Sequence, residues 1–366
     1  MAEVKISELT SATTPLAGTE VVPIVQGGVT KQVAVSNFGG SLPSMIETNA
    51  TDLTLWNNGK GNVVSNTSFG DGALKSNTSG SNNTAIGYNA LDVNTTGAQN
   101  TAIGTDALGS NTTGANNTAV GMNALTATTG INGNNTAVGR SSMASNTSGG
   151  FNTAVGSFSL FSGTSGSENV SIGYNSMLSA TTGSFNVGVG AWSLRFNTGS
   201  NNTAIGYQSL DANTTGIQNV AMGTDALGAC TTGSRNTTLG FNAGLALITV
   251  SDNTLIGSSA GNNITNGGSN TCIGSSSRPR NGSVGASVSI GQNSIGPEFG
   301  VAIGFNATAS HDNSLILGAY AGTTAANQIS IGSTTVPLGT LTTESLSSTK
   351  TLTILLNGVA QKILLA

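Results

Sequence analysis

The chain has 366 residues, a net charge of −4 and 37% hydrophobic residues, so it is long enough to fold and its composition is not that of a disordered protein. Only 7% of the residues are charged and 4% are aromatic, while 52 are glycine, which excludes a thick globular core of bulky side chains. The 11 basic residues form no stripe that would neutralise phosphates, which argues against nucleic-acid binding.

The N-terminal segment, residues 1–40, predicts a small β module. Residues 1–10 mix charged and apolar side chains, unlike the continuous apolar centre of a secretory signal, and no stretch is apolar for long enough to span a membrane. We therefore expect synthesis in a cytoplasm without membrane insertion. Residues 20–25 and 30–35 predict two strands around a glycine turn, and residues 41–61 are a connector.

Residues 62–333 form a repeat that is marked by glycine. The sequence Asn-Thr-Ala-Ile-Gly at 83–87 recurs unchanged at 100–104 and 202–206. The aligned glycines, which we call the marker glycines, are Gly70, Gly87, Gly104, Gly121, Gly139, Gly156, Gly173, Gly190, Gly206, Gly223, Gly240, Gly257, Gly274, Gly291, Gly304, Gly318 and Gly332. Eleven of the first thirteen intervals are 17 residues, and the last three are 13, 14 and 14. Such a fixed period is typical of a solenoid.

Each unit predicts a short strand that ends at its glycine. The residue before the glycine is apolar in all seventeen units, the residue three before it is threonine or aliphatic, and most units have a small residue between them, as in Thr84-Ala85-Ile86. We expect the two outer residues to face the interior and the small residue to face outward.

A second extended segment is predicted four residues after the glycine, where the first ten units have leucine or methionine, such as Leu91. Asn-Thr-Thr-Gly turns follow, as at 94–97, with a glycine free to adopt positive φ. The residue four before the glycine is asparagine in all thirteen units from Asn66 to Asn270, which favours a ladder of amides that bond from coil to coil.

The predicted fold is therefore all-β, a parallel β-solenoid of about 17 short coils that forms a rod of about 80 Å. One such chain buries little apolar surface, so we expect a homotrimer in which the outward small residues are the subunit contact. The repeat resembles the head β-roll of trimeric autotransporter adhesins. That resemblance implies three packed chains, although the turn here is longer.

The two ends carry further resemblances. Residues 334–366 are a predicted trimerising cap, because Thr351 to Leu356 and Val359 to Ala366 flank an Asn-Gly turn and have apolar residues on both strands. This segment resembles the short closing segment of phage structural proteins. Residues 6–35 resemble an N-terminal module of bacteriophage virion proteins, especially tail and head fibres, which implies attachment of residues 1–40 to other virion proteins. The alternative is a small hairpin that only caps the rod.

Candidates for chemistry are few. His311 is the only histidine and has no nucleophile motif around it, so we expect a surface residue. Four aspartates on successive coils are interpreted as ordinary solvated carboxylates: Asp92, Asp106, Asp211 and Asp225. Cys230 and Cys272 belong to no metal pattern and are interpreted as unreactive thiols. We therefore expect no enzyme activity and no catalytic, cofactor or metal site.

Together with the repeat, these resemblances imply a structural fibre protein of a bacteriophage virion, a tail fibre that attaches to the host through a surface glycan or protein. The residues that bind the receptor are not identified by the repeat, because every coil presents nearly the same surface. A head fibre on the capsid is the first alternative. A non-viral adhesin or an ice-binding solenoid is the second.

Overall fold

The structure is a computed structural model that describes residues 21–26, 29–34, 47–49, 52–56, 65–129, 133–283, 285–331, 351–356 and 359–364. Every helix or strand in these ranges is a β-strand. The all-β class predicted from the repeat is therefore confirmed.

Two antiparallel hairpins precede the repeat. Strand β1 (Val21–Gln26) pairs with β2 (Val29–Ala34), which confirms the two strands predicted around a glycine turn. Strand β3 (Glu47–Asn49) pairs with β4 (Asp52–Trp56) inside the predicted connector. This second hairpin was not predicted, because a first strand of only three residues is too short to show apolar alternation.

Within residues 65–331, seventeen strands of three residues form one parallel sheet along the rod. They are β5 (Thr67–Phe69), β6 (Thr84–Ile86), β7 (Thr101–Ile103), β8 (Thr118–Val120), β9 (Thr136–Val138), β10 (Thr153–Val155), β11 (Val170–Ile172), β12 (Val187–Val189), β13 (Thr203–Ile205), β14 (Val220–Met222), β15 (Thr237–Leu239), β16 (Thr254–Ile256), β17 (Thr271–Ile273), β19 (Val288–Ile290), β21 (Val301–Ile303), β22 (Leu315–Leu317) and β23 (Ile329–Ile331). Each strand pairs in register with the strand of the next coil, as Ala85 pairs with Ala102. The predicted parallel solenoid is confirmed.

The strand residue that faces the interior is the small one, which is opposite to the prediction. Ala85 is completely buried, whereas Thr84 is half-buried and Ile86 is exposed. In coils whose turn leucine or methionine already fills the core, the interior has no room for a large strand side chain: a Cβ added to Gly188 would lie 3.0 Å from Ser176 Oγ and 3.1 Å from Met177 Cε. Period-two alternation identifies two faces of a strand, but the available volume decides which one is inside.

The second segment of the early coils is a turn and not the predicted extended segment. Leu91 points into the core as expected and is fully buried, but its φ is 52°, in the left-handed region. Its N–H donates to the carbonyl oxygen of Ala107 in the next coil at 3.1 Å, and the N–H of Asn89 donates back to the carbonyl oxygen of Asp71 at 2.9 Å. Turns can therefore bond from coil to coil without extended backbone.

Extended backbone appears at this position only in the later coils of the described rod. Strand β18 (Arg278–Pro279) pairs in parallel with β20 (Ile295–Gly296), and single bridges continue from Ile295 to Thr308 and from Thr308 to Gly322. The intervals between marker glycines shorten to 13 and 14 residues in the same part of the chain. The predicted second strand is thus correct for these coils alone.

The predicted asparagine ladder is confirmed. All thirteen asparagines are buried, and in each of the twelve steps one side-chain oxygen accepts the backbone N–H of the next asparagine at 2.8 to 3.1 Å. Many of the amide nitrogens also donate to a turn carbonyl, as Asn100 Nδ2 does to Gly114 O at 2.8 Å. The ladder therefore satisfies buried backbone groups that face the core.

Glycine is required at two positions of a coil for different reasons. Gly104, at the end of its strand, has φ +134°, and an added Cβ would lie 2.6 Å from the carbonyl of Gly121. The turn glycine Gly97 does not have the predicted positive φ. An added Cβ at Gly97 would instead collide with the carbonyl oxygen of Gly114 and with Asn94 Oδ1, so close stacking requires glycine there.

A third hairpin lies at the C-terminal end, where β24 (Thr351–Leu356) pairs antiparallel with β25 (Val359–Leu364). The predicted hairpin is confirmed, while its role as a trimerising cap stays a prediction. Residues 332–350, which contain the predicted boundary between stalk and cap, lie outside the described residues.

Candidate functional surface

The outer side of the long sheet is a surface feature that continues along the rod. The third residue of each strand forms an aliphatic column there, with a single aromatic residue at its start: Phe69, Ile86, Ile103, Val120, Val138, Val155, Ile172, Val189, Ile205, Met222, Leu239, Ile256, Ile273, Ile290, Ile303, Leu317 and Ile331. Side chains such as Ile86, at 36% exposure, and Phe69, at 67%, are open to solvent. Together with the column of first strand residues we call this surface the outward face.

The outward face carries no charge over the described strands. Its second column consists of threonines in most coils, as in Thr101, and of valine, leucine or isoleucine in the others, as in Val170. Strands in register at about 4.8 Å make the two columns straight. Contiguous apolar strips of this length are unusual on the surface of an isolated soluble chain, which makes the outward face the candidate functional surface.

Charged side chains lie away from the outward face. Three ion pairs in the described chain join different coils: Arg195–Asp211, Arg235–Asp252 and Arg280–Asp312. The Arg235 guanidinium lowers the pKa of the Asp252 carboxyl in an exposed pair, which stabilises a protein only slightly. The rod is therefore not held together by charge.

The four aspartates singled out in the sequence are not equivalent. Asp211 is only 9% exposed and pairs with Arg195 at 2.8 Å, so its interpretation as a solvated carboxylate was wrong. Burial raises the pKa of Asp211 despite the guanidinium, and Asp225 raises it further. Burial also raises the pKa of Asp92, with a smaller contribution from Asp106. Each pair therefore lies within electrostatic range on neighbouring coils.

The cysteines occupy structural positions in the core. Cys230 lies where most coils have the asparagine that begins the Asn-Thr-Thr-Gly turn, which we call the first turn asparagine. Cys272 lies at the inward position of its strand. Both thiols are free and fully buried. Burial raises the pKa of Cys230 to about 11 and that of Cys272 to about 12, so neither is a thiolate at neutral pH.

His311 is half-buried, and its Nδ1 is enclosed without a hydrogen-bond partner. The described residues contain no group of three or more histidine, cysteine, aspartate or glutamate side chains placed to hold a metal ion. The described part of the chain also has no helix long and apolar enough to cross a membrane.

Comparison with known proteins gives no relative: no family model, no curated protein and no solved structure matches this chain. The resemblances to phage virion modules and to the adhesin β-roll thus stay predictions from the sequence. The outward face was itself missed by sequence reasoning, although the aliphatic column that forms it is visible in the repeat.

Proposed function

We propose that the chain is a structural fibre protein of a bacteriophage virion, whose solenoid is a stiff, trimeric stalk used for attachment to the host. The observation that carries this proposal is the outward face, an uncharged strip that runs along all seventeen strands of the sheet. A partner that covers such a strip must be as long and as regular as the rod. A second and third copy of the same chain have that shape.

The size of the outward face supports association between copies. Seventeen strands at a spacing of about 4.8 Å give a length of about 80 Å, and two outward columns give a width of about 10 Å. The resulting area of about 800 Å² per copy equals the contribution of one partner to a stable protein interface. The small residues are buried inside each coil, so we now assign the trimer contact to the aliphatic column.

Residues 1–40 attach the stalk to other virion proteins, and the final hairpin closes the trimer. These two assignments are supported by the resemblance of the end segments to virion modules and by their length and sequence. The protein assembles in the host cytoplasm and functions as part of the virion. We favour a tail fibre, with a capsid head fibre as the alternative position on the particle.

The contact between copies can be tested with two lysine substitutions of equally exposed isoleucines. Ile205 lies on the outward face at 37% exposure, and Ile217 lies between the strands β13 and β14 at 40%. In sedimentation experiments the parent chain should have three times the mass of 36.1 kDa. Ile205→Lys should release single chains, because like charges would be buried together, while Ile217→Lys should stay trimeric. A single-chain parent, or equal behaviour of the two variants, contradicts the proposal.

Attachment is tested separately by deletion of residues 1–40. The shortened chain should remain a soluble trimer but should no longer join particles in an assembly reaction with the remaining virion proteins. Loss of the trimer on deletion would contradict the assignment of this segment. Labelled particles viewed by electron microscopy would distinguish a tail fibre from a head fibre.

A second candidate function is favoured by the threonine column of the outward face. Regularly spaced threonines beside aliphatic residues on a straight sheet are a surface that ice could order upon, and a non-viral ice-binding solenoid or adhesin would leave that face open. Such a protein would be a single chain, and it would show thermal hysteresis that Ile205→Lys abolishes. Trimeric assembly without thermal hysteresis would exclude this candidate.

A further inference from the structure

A groove of about 590 Å³ runs along the rod on the turn side of the coils. Two columns of residues line the groove. One column lies two positions after the marker glycines and includes Asp106 and Asn123. The other lies five positions after them and includes Asp92 and Thr126. The groove extends over five consecutive coils, about 20 Å along the rod. It is thus an elongated site and not a point-like one.

The groove exists because small side chains occupy one column for three coils in succession. Gly109, Thr126 and Ala144 leave the trough open, and Phe161 closes it at the next coil. Farther along the same column, Arg195 fills the space by lying over the ring of Phe196, with the guanidinium carbon 4.4 Å from the ring centre. The groove is therefore not repeated on every coil.

The two ends of the groove differ in chemistry. Asp92 and Asp106 place carboxylates at one end, and Asp92 is half-buried, which raises the pKa of its carboxyl group. At the other end Phe158 and Phe161 form an edge-to-face pair with ring centres 5.6 Å apart. Arg140 covers one face of the Phe158 ring at 5.3 Å. Hydroxyl and amide groups line the middle, as in Thr126.

We propose that this groove binds a short neutral oligosaccharide, whose hydroxyls donate to Asp92 and Asp106 and whose last ring packs on Phe161. Saccharides are elongated, rich in hydroxyl donors and apolar on their ring faces, which matches carboxylate acceptors, lining hydroxyls and an aromatic wall. Phosphorylated or sulfated ligands are disfavoured by the two carboxylates. This inference rests on the proposed role of the stalk in host attachment, and it names the class of receptor.

The decisive variant is Ala144→Phe, which fills the trough with a side chain that the same column accommodates one coil later at Phe161. Its matched control is Asn262→Phe, at the same position of an exposed coil outside the groove. The labelled full chain would be tested on an array of neutral tri- and tetrasaccharides and then titrated with the best of them. We expect Ala144→Phe to weaken binding at least tenfold, and Asn262→Phe to leave it unchanged.

Asp92→Asn keeps the shape of the groove and removes a charge, so it gives a second reading if Ala144→Phe fails to fold. It should weaken binding at least about threefold. The proposal is overturned if no saccharide of the array binds, if neither Ala144→Phe nor Asp92→Asn weakens binding, or if a tetralysine peptide competes for the site better than the saccharides do. Saccharide binding is measured on the isolated protein and attachment to particles in a separate assembly reaction. Either result can therefore be negative while the other is positive.

Discussion

The coils near Leu91 and the coils near Leu255 fill the same interior in two different ways. In the early coils a leucine lies four residues after the marker glycine and the inward strand residue is alanine, as in Leu91 and Ala102. In the later coils Gly244 and Gly261 take the leucine position, and Leu255 takes the strand position. A Cβ added to Gly261 would lie 2.7 Å from both methyl carbons of Leu255. The two regions therefore share a core volume and not a core pattern.

The same two regions also differ in their polar positions. The first turn asparagine, as in Asn94, is replaced by Cys230, Leu247 and Ile264 in the later coils. The ladder asparagines continue without exception through those coils to Asn270. Of two buried asparagine columns, only the one that bonds to backbone N–H groups of the next coil is kept throughout, which indicates that this column has the larger structural role.

The largest effect is expected from breaking the ladder. Asn219→Leu removes the acceptor of the Asn236 N–H and the donor to Gly233 O, so two buried backbone groups lose a partner. We expect a loss of about 4 kcal/mol in the free energy of unfolding. Asn213→Leu is the matched control, because a leucine already occupies the same turn position at Leu247. It should lower the free energy of unfolding by less than about 1 kcal/mol.

The two asparagine variants would be compared by urea unfolding followed by circular dichroism at equal protein concentration. Equal losses for Asn219→Leu and Asn213→Leu would mean that the ladder has no special role.

The next effect concerns the exchange of volume between columns. Leu255→Ala should cost about 3 kcal/mol, because it leaves a cavity in a fully buried position. Gly261→Leu alone should cost about 2 kcal/mol, because it overfills the core beside Leu255. The double variant moves the leucine from the strand to the turn position, as in the early coils, and should be more stable than the sum of the single losses predicts. A strictly additive double-mutant cycle would contradict the exchange.

A smaller effect should separate two leucines that are equally buried. Leu108 has φ 53°, whereas Leu255 lies in strand β16, and none of the positive-φ residues in the described chain is valine, isoleucine or threonine. A β-branched residue is strained in the left-handed region but suits a strand. Leu108→Val should therefore cost about 1 to 2 kcal/mol more than Leu255→Val in urea unfolding. The opposite order would argue against backbone strain.

Much of the fold could be predicted because spacing and column chemistry survive in the sequence. The marker glycines and the asparagine ladder identified the coil and its stacking. The orientation of Ala85 could not be predicted, since alternation has the same period whichever side is inside. The left-handed backbone at Leu91 was missed because leucine is not a residue that signals positive φ.

The groove and the outward face were missed for different reasons. The outward face follows directly from the orientation of the strand, so one wrong assignment concealed it. The groove depends on differences between coils, at Gly109, Thr126 and Ala144, which an alignment of what the coils share averages away. The signal for the groove is a run of small residues at one position of successive coils.

The smallest expected effect lies in the later region, where sulfur replaces both an amide and a methyl group in the core. With pKa values of about 11 for Cys230 and about 12 for Cys272, the fraction of thiolate at pH 8 is very small, and burial also blocks access of the reagent. A disulfide reagent that releases a coloured thiolate should therefore react with neither cysteine in the native protein and with both in urea. Cys230→Ser should remove half of the signal in urea and should change the urea midpoint little, because other coils accept a polar residue at this turn position. Rapid reaction of the native protein would mean that these coils open locally, and the volume exchange around Leu255 would then describe a loose core instead of a packed one.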